Sequence, residues 1–338
     1  MRSLTWTLAA VALAATLALA QAPTAPPVAS SAAPAADTAR AATPSAPAPA
    51  PPPSPSTAIR NKLSADDLLS AESVLEVHRD ANGEDGAYLT GLAWLARGAL
   101  LVGDVEKADR YAAEVRKRCA DSLAHGADLE KSHNVEIALG AAIEVTAQRL
   151  AQTRGRQAAE SYVRSELAQI KGPVPLRCRL NKRINMLTMT GTAAPELAVE
   201  DFLGAPPPSL ASLRGKPVLL FLWAEWCNDC KVQEATLARV QSRYAPKGLQ
   251  TIAVTRYYED DVAKRPREKA KVDSVWKAVY QQGLGDLPIV FSTASYERYG
   301  ASSTPTFVFI DRKGVVRRYT PTRLTEAEFD RTLAELLR

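Results

Sequence analysis

The chain has 338 residues, with 42 basic and 37 acidic side chains and a formal net charge of +5. That length exceeds one comfortable hydrophobic core, so more than one domain is expected. A net charge this modest allows weak attraction to anionic lipid or acidic partners and proves neither, and no nucleic-acid partner is expected of a chain that opens with an export-like segment.

Residues 1–20 read as an export signal. Arg2 is the positive start, Leu4 to Ala20 is uncharged and mostly apolar, and Ala18-Leu19-Ala20 fits small-x-small cleavage before Gln21. The alternative is an uncleaved membrane anchor, although the run is short and alanine-rich for a spanning helix. No cysteine follows it closely, which argues against a lipid-modified N-terminus. The expected location is periplasmic or otherwise extracytoplasmic. Residues 21–58 hold 11 prolines and 14 alanines, with only Asp37 and Arg40 charged. Such a stretch cannot bury a core and is expected to be a disordered, partly extended linker.

Residues 59–187 carry helical periodicity. Ser64 is expected to cap a helix bearing Leu68, Ala71 and Leu75. Further stripes start at Tyr88, Val105, Val135 and Ala159, and Pro173 and Pro175 end the run. Gly103-Asp104 and Gly155 fall where αα-hairpin turns would lie. The segment from Gly91 to Ala108 resembles one degenerate tetratricopeptide unit, but no 34-residue period recurs. A small helical bundle is the plainer alternative. Either offers a helical-hairpin face to which a protein partner could bind.

Residues 188–338 switch to strands alternating with helices. Strands are expected at Pro217–Ala224, Leu249–Tyr257, Leu287–Phe291, Thr306–Asp311 and Val315–Tyr319. Helices are expected at Cys227–Tyr244, Arg267–Gln282 and Thr325–Leu337, the last opened by a Thr325/Glu328 capping box. Lys313-Gly314 marks a closing hairpin. The expected fold class is therefore α/β, a mixed sheet with a parallel centre flanked by helices, preceded by an all-α region.

The chemistry centres on Trp223-Ala224-Glu225-Trp226-Cys227-Asn228-Asp229-Cys230-Lys231. It follows an apolar strand and opens a helix. The unpaired N–H groups and positive dipole end of that helix stabilise a thiolate, and a cysteine one turn on can resolve a mixed disulfide. The four cysteines form an even set, which an oxidising compartment would permit to pair. Cys119 and Cys178 are then either a structural cross-link or two separate buried thiols. A zinc site is not expected. It would need four ligands, and His78, His125 and His133 all lie in the helical half. The mixed charges of Arg256–Lys271 read as a solvated loop and helix face.

Further features surround the cysteines in order: Pro195-Glu196-Leu197, Gly215-Lys216-Pro217, Ser303-Thr304-Pro305-Thr306 and Asp311-Arg312-Lys313-Gly314. With these, residues 193–338 resemble the thioredoxin superfamily, and most of all its extracytoplasmic TlpA/ResA-type thiol–disulfide oxidoreductases. The resemblance implies a thioredoxin-like fold without a cofactor. It implies that Cys227 is the attacking thiol and Cys230 the resolving one. It also implies that Pro305 is a cis-proline facing them, that Thr304 offers its backbone to an extended substrate, and that Trp226 shields the sulfur. The expected partners are a disulfide-containing protein substrate and an electron-donating thiol–disulfide protein. Reduction is the direction the family suggests. An oxidase or isomerase, and a non-enzymatic adaptor, are the competing readings.

The sequence departs from that pattern at several positions. Asn228-Asp229 lacks the usual proline, and a carboxylate at Asp229 should disfavour a nearby thiolate. Phe221 replaces the buried acid of thioredoxins, and Gln233 the glutamate frequent in the TlpA/ResA type. Glu225 and Glu234 are then candidate proton relays, with solvated surface charges as the plainer expectation.

Overall fold

A computed structural model describes residues 54–170 and 172–338. The expected export signal and most of the proline–alanine stretch lie outside these residues. Among the described residues no helix is long and apolar enough to cross a membrane.

Seven helices come first: α1 (Pro55–Leu63), α2 (Leu68–Asn82), α3 (Gly86–Leu101), α4 (Val105–Ala124), α5 (His133–Arg154), α6 (Arg156–Gln169) and α7 (Val174–Thr188). Three start on aspartate caps: Asp67, Asp85 and Asp104 accept the backbone N–H of Ser70, Tyr88 and Lys107. Ser64 does not cap α2; its hydroxyl donates back to the Arg60 carbonyl at the end of α1. Helix α1 itself begins inside the stretch read as linker, because Ile59 and Leu63 give it a buried side. Its neighbour α3 accommodates it through Gly98, where a Cβ would lie 2.2 Å from a Leu63 methyl.

Pro173 and Pro175 do not end the helical run. They sit at the start of α7, where a missing N–H removes no helical bond. The apolar positions of α7 then serve two cores. Leu176, Leu180 and Ile184 join the helical one, while Cys178 packs with Met189 against the sheet.

The sheet has six strands: β1 (Asp201–Leu203), β2 (Val218–Leu222), β3 (Gln250–Thr255), β4 (Ile289–Phe291), β5 (Thr306–Ile310) and β6 (Val316–Thr320), in the order β1-β4-β3-β2-β5-β6. The β4/β3 and β3/β2 pairs are parallel and the others antiparallel. This is the expected mixed sheet. The short edge strand β1, too brief for an alternating pattern, had no signal in the sequence.

Alternate side chains point to opposite faces. Leu219, Phe221, Phe307 and Phe309 face α8 (Asn228–Tyr244) and α12 (Glu326–Leu336), together with α9 (Arg265–Val275) and α10 (Gln281–Leu284). A π-helical turn, Trp276–Tyr280, interrupts the helix expected across α9 and α10. Leu220, Leu222, Val254 and Val308 face α7 and α11 (Thr293–Arg298). So the last of the seven helices covers one face of the sheet. Arg177 pairs with Glu297 at 3.0 Å, and the Asn185 amide donates to the Arg298 carbonyl at 2.9 Å. Gly300, at φ +64°, lets the chain after α11 pass against the α7 backbone; a Cβ there would lie 2.3 Å from the Lys182 nitrogen.

Candidate redox-active site

Strand β2 delivers the chain at the edge of the buried core, and residues 223–226 turn it into α8. Cys227 is the N-cap of α8: its Sγ accepts the Cys230 N–H at 3.1 Å. A sulfur thus occupies the place that serine or aspartate usually takes, and it faces the positive end of a 17-residue helix. Cys227 and Cys230 form a disulfide with Cα atoms 5.3 Å apart. Cys227 is 5% exposed and Cys230 wholly buried, so the first sulfur alone reaches the surface, and only narrowly.

The Thr304–Pro305 peptide is cis, and the Thr304 carbonyl oxygen lies 3.3 Å from the Cys227 sulfur. Trp226, 57% exposed, stands beside the sulfur with its ring edge-on to Tyr258 at 5.4 Å. The fold therefore gathers Trp226, Cys227, Cys230, Thr304 and Pro305 from two distant segments at one end of the sheet.

Asn228 and Asp229 both face solvent. The Asp229 side chain is 60% exposed and lies 3.6 Å from the Arg323 guanidinium. An exposed, partnered carboxylate projects little field onto the sulfur. Asp229→Asn should therefore raise the alkylation rate of reduced Cys227 by no more than about twofold at physiological salt. Pulse labelling read by mass spectrometry checks this, and a tenfold change would show that Asp229 tunes the thiol directly.

One neighbouring residue differs from expectation. Glu225 is 4% exposed, not solvated; Lys271 reaches its Oε1 at 3.0 Å, while Oε2 has no partner among the described residues. Gln233 holds the segment before α12: its amide donates to the Leu324 carbonyl at 2.9 Å and accepts the Leu324 N–H at 2.8 Å. A carboxylate could supply only the second of these bonds. Phe221 is stacked between Trp223 and Phe307, so that position is sealed by aromatic rings.

Cys119 and Cys178 are separate buried thiols, which corrects the possible cross-link. Cys119, on α4, lies in the helical core with its thiol 3.8 Å from the Val135 carbonyl. Cys178, on α7, belongs to the core on the sheet face. Burial pushes the Cys119 thiol up to about 11 and the Cys178 thiol up to about 12, which leaves both protonated and unreactive at neutral pH. The histidines are scattered: His78 bonds Asp85, His125 a backbone carbonyl, and His133 faces Glu136.

A cleft of about 410 Å³ opens beside the dithiol. Trp226, Thr304, Arg256 and Tyr258 line it on the sheet side, and α5 and α7 line it on the other. The sequence marks Arg256 only as part of a solvated loop. In the fold its guanidinium stacks 4.1 Å from the Tyr258 ring centre. Nearby Glu268 is buried and accepts the Tyr258 N–H at 2.6 Å. The available signal was position: these residues follow the carboxyl end of β3, beside the strand that ends at the dithiol, where open sheets bind ligands.

Residues 190–319 match the AhpC/TSA family model. The thioredoxin-like protein YneN of Bacillus subtilis (strain 168) is 27% identical over 144 residues, which is 42% of this chain and 78% of that protein. The thiol:disulfide interchange protein DsbE of Pseudomonas fluorescens biotype C is 33% identical over 107 residues, 32% of this chain and about half, 52%, of that protein. The thiol-disulfide oxidoreductase ResA of Bacillus thuringiensis (strain Al Hakam) is 30% identical over 128 residues, 37% of this chain and 66% of its own. Among solved structures, the exposed lipoprotein thioredoxin of Streptococcus pneumoniae strain TIGR4 aligns at 22% identity, covering 42% of this chain and all of that one, with a TM-score of 0.35. The C-terminal half of the chain is a thioredoxin-like domain, similar to the AhpC/TSA family over residues 190–319, and its Cys227–Cys230 pair stands with the thiol–disulfide oxidoreductases it resembles.

Proposed function

We propose that this protein works outside the cytoplasm and reduces disulfides in other proteins. The observation that carries the reading is the Cys227 sulfur at the N-cap of α8, held by the Cys230 N–H, with Cys230 buried behind it. In the reduced protein the Cys227 thiolate attacks one sulfur of a substrate disulfide. A mixed disulfide forms and the other substrate sulfur leaves as a thiolate, which takes up a proton. The Cys230 thiolate then attacks Cys227, closing the internal disulfide and releasing the second substrate thiol. Two electrons pass from the dithiol to the substrate, and an external dithiol protein returns them. The Thr304 backbone pairs with an extended substrate segment and Trp226 covers it, a reading supported by the Thr304 carbonyl beside the Cys227 sulfur. The extracytoplasmic location rests on the signal-like first 20 residues.

The direction is tested by running both half-reactions with one protein substrate. The reduced enzyme should reduce the oxidised substrate faster than the oxidised enzyme oxidises the reduced substrate. Faster oxidation would make it an oxidase, and no exchange in either direction would favour the adaptor reading.

A further inference from the structure

The cleft beside the dithiol carries an excess of positive charge. On its sheet side, Arg256 donates a hydrogen bond to the Tyr257 carbonyl and has no carboxylate partner among the described residues. On its helical side lie Arg179 and Lys182 of α7. Arg179 donates to the Ile137 carbonyl at 3.0 Å. Both share a single buried carboxylate, Glu144, at 3.4 and 3.9 Å, and Arg97 of α3 binds that same carboxylate. Burial pushes the Lys182 ammonium below its ordinary value, with Glu144 opposing and the neighbouring arginines adding to the shift. The acid facing the cleft, Glu136, is buried and lies 3.2 Å from His133. Burial pushes its carboxyl up, with Arg179 and His133 opposing.

We propose that this cleft binds the segment flanking the cystine of a protein substrate and selects one that carries aspartate or glutamate there. The inference rests on the thiol–disulfide reading of the neighbouring site and names its substrate class. The occupant must bring a disulfide to Cys227, because Thr304 borders both the sulfur and the cleft. The anion a polypeptide brings is a carboxylate. A half-buried guanidinium flanked by aromatic rings binds a carboxylate through two parallel hydrogen bonds, at less desolvation cost than an ammonium. Trp226 and Tyr258 provide apolar surface for the same segment. The helical half then acts as the second jaw of the site, supplying charge next to chemistry done by the other half.

Calorimetric titration of the oxidised full chain tests this without any redox step. The probes are three short peptides, with serine in place of cysteine, that differ only in Asp, Asn or Lys at the flanking position. The Asp peptide should bind about fivefold more tightly than the Asn peptide, and the Lys peptide more weakly than both. Rising salt should erode the difference. Arg256→Gln should bring the Asp/Asn ratio close to one, and Arg256→Lys should keep part of it. Equal affinities for all three peptides would overturn the proposal. So would an Asp preference that survives in both Arg256→Gln and Lys182→Gln. An Asp preference in a protein that reduces no disulfide would uphold the cleft and sink the redox reading alone.

Discussion

Replacing Cys227 with serine is expected to abolish disulfide exchange, lowering turnover by at least about a thousandfold, because a hydroxyl does not ionise near neutral pH. Cys230→Ser should behave differently. The Cys227 sulfur keeps its cap position and its backbone donor, since the bond comes from the residue 230 N–H and not from the side chain. It should still attack, but nothing resolves the adduct, so a mixed disulfide through Cys227 accumulates to near stoichiometry. Intact mass under non-reducing conditions reads this directly. If Cys230→Ser gives no adduct and is as inert as Cys227→Ser, the two roles are wrongly assigned. The prediction follows from which sulfur reaches the surface, Cys227 narrowly and Cys230 not at all.

The largest expected loss of stability lies in the helical half, at Glu144. This buried carboxylate on α5 is bound by Arg97 of α3 and approached by Arg179 and Lys182 of α7. Burial alone would raise its carboxyl. Arg179, Arg97, Lys182 and Arg183 outweigh that and hold it down to about 2. Glu144→Gln removes the one negative charge and leaves these cations facing one another. Breaking a buried ion pair from one side costs about 3–5 kcal/mol, equivalent here to roughly 5–15 °C in melting temperature. The carboxyl is depressed in the folded state, so its contribution is fully present above its ordinary value of 4.5 and lost as pH falls toward about 2. Thermal unfolding followed by circular dichroism should show the wild type losing stability across that window, and the variant losing less. A Glu144→Gln protein that melts with the wild type at neutral pH would show that the cluster is solvated rather than structural.

Much of the sheet domain was legible because its signals are local and repeated. Four apolar runs between turn residues marked β2 to β5, the Lys313-Gly314 hairpin signal marked β6, and Thr325 with Glu328 marked the start of α12. The dithiol was legible because its residue types carry the chemistry themselves, and the cis Thr304–Pro305 bond only through the family resemblance. What could not be read depends on tertiary contact. Helix α7 was hidden because prolines stop a helix or start one, and only the packing of Leu176 and Leu180 decides which. Glu225 looks like a surface charge until the fold brings Lys271 over it. Asp229 sits next to the thiols in sequence, yet the fold turns it outward toward Arg323. The cleft joins α5 and α7 to Arg256 and Thr304, segments too far apart in sequence for any motif to link.

The most direct measurement of the central claim is a single-turnover transfer. One equivalent of fully reduced protein is mixed with a disulfide-bonded protein substrate, quenched with acid, and all thiols are alkylated and mapped by mass spectrometry. The predicted result is one substrate disulfide reduced for each Cys227–Cys230 disulfide formed, with Cys119 and Cys178 remaining thiols throughout. An unreduced substrate, or oxidation appearing at Cys119 or Cys178 in place of the Cys227–Cys230 pair, would contradict it.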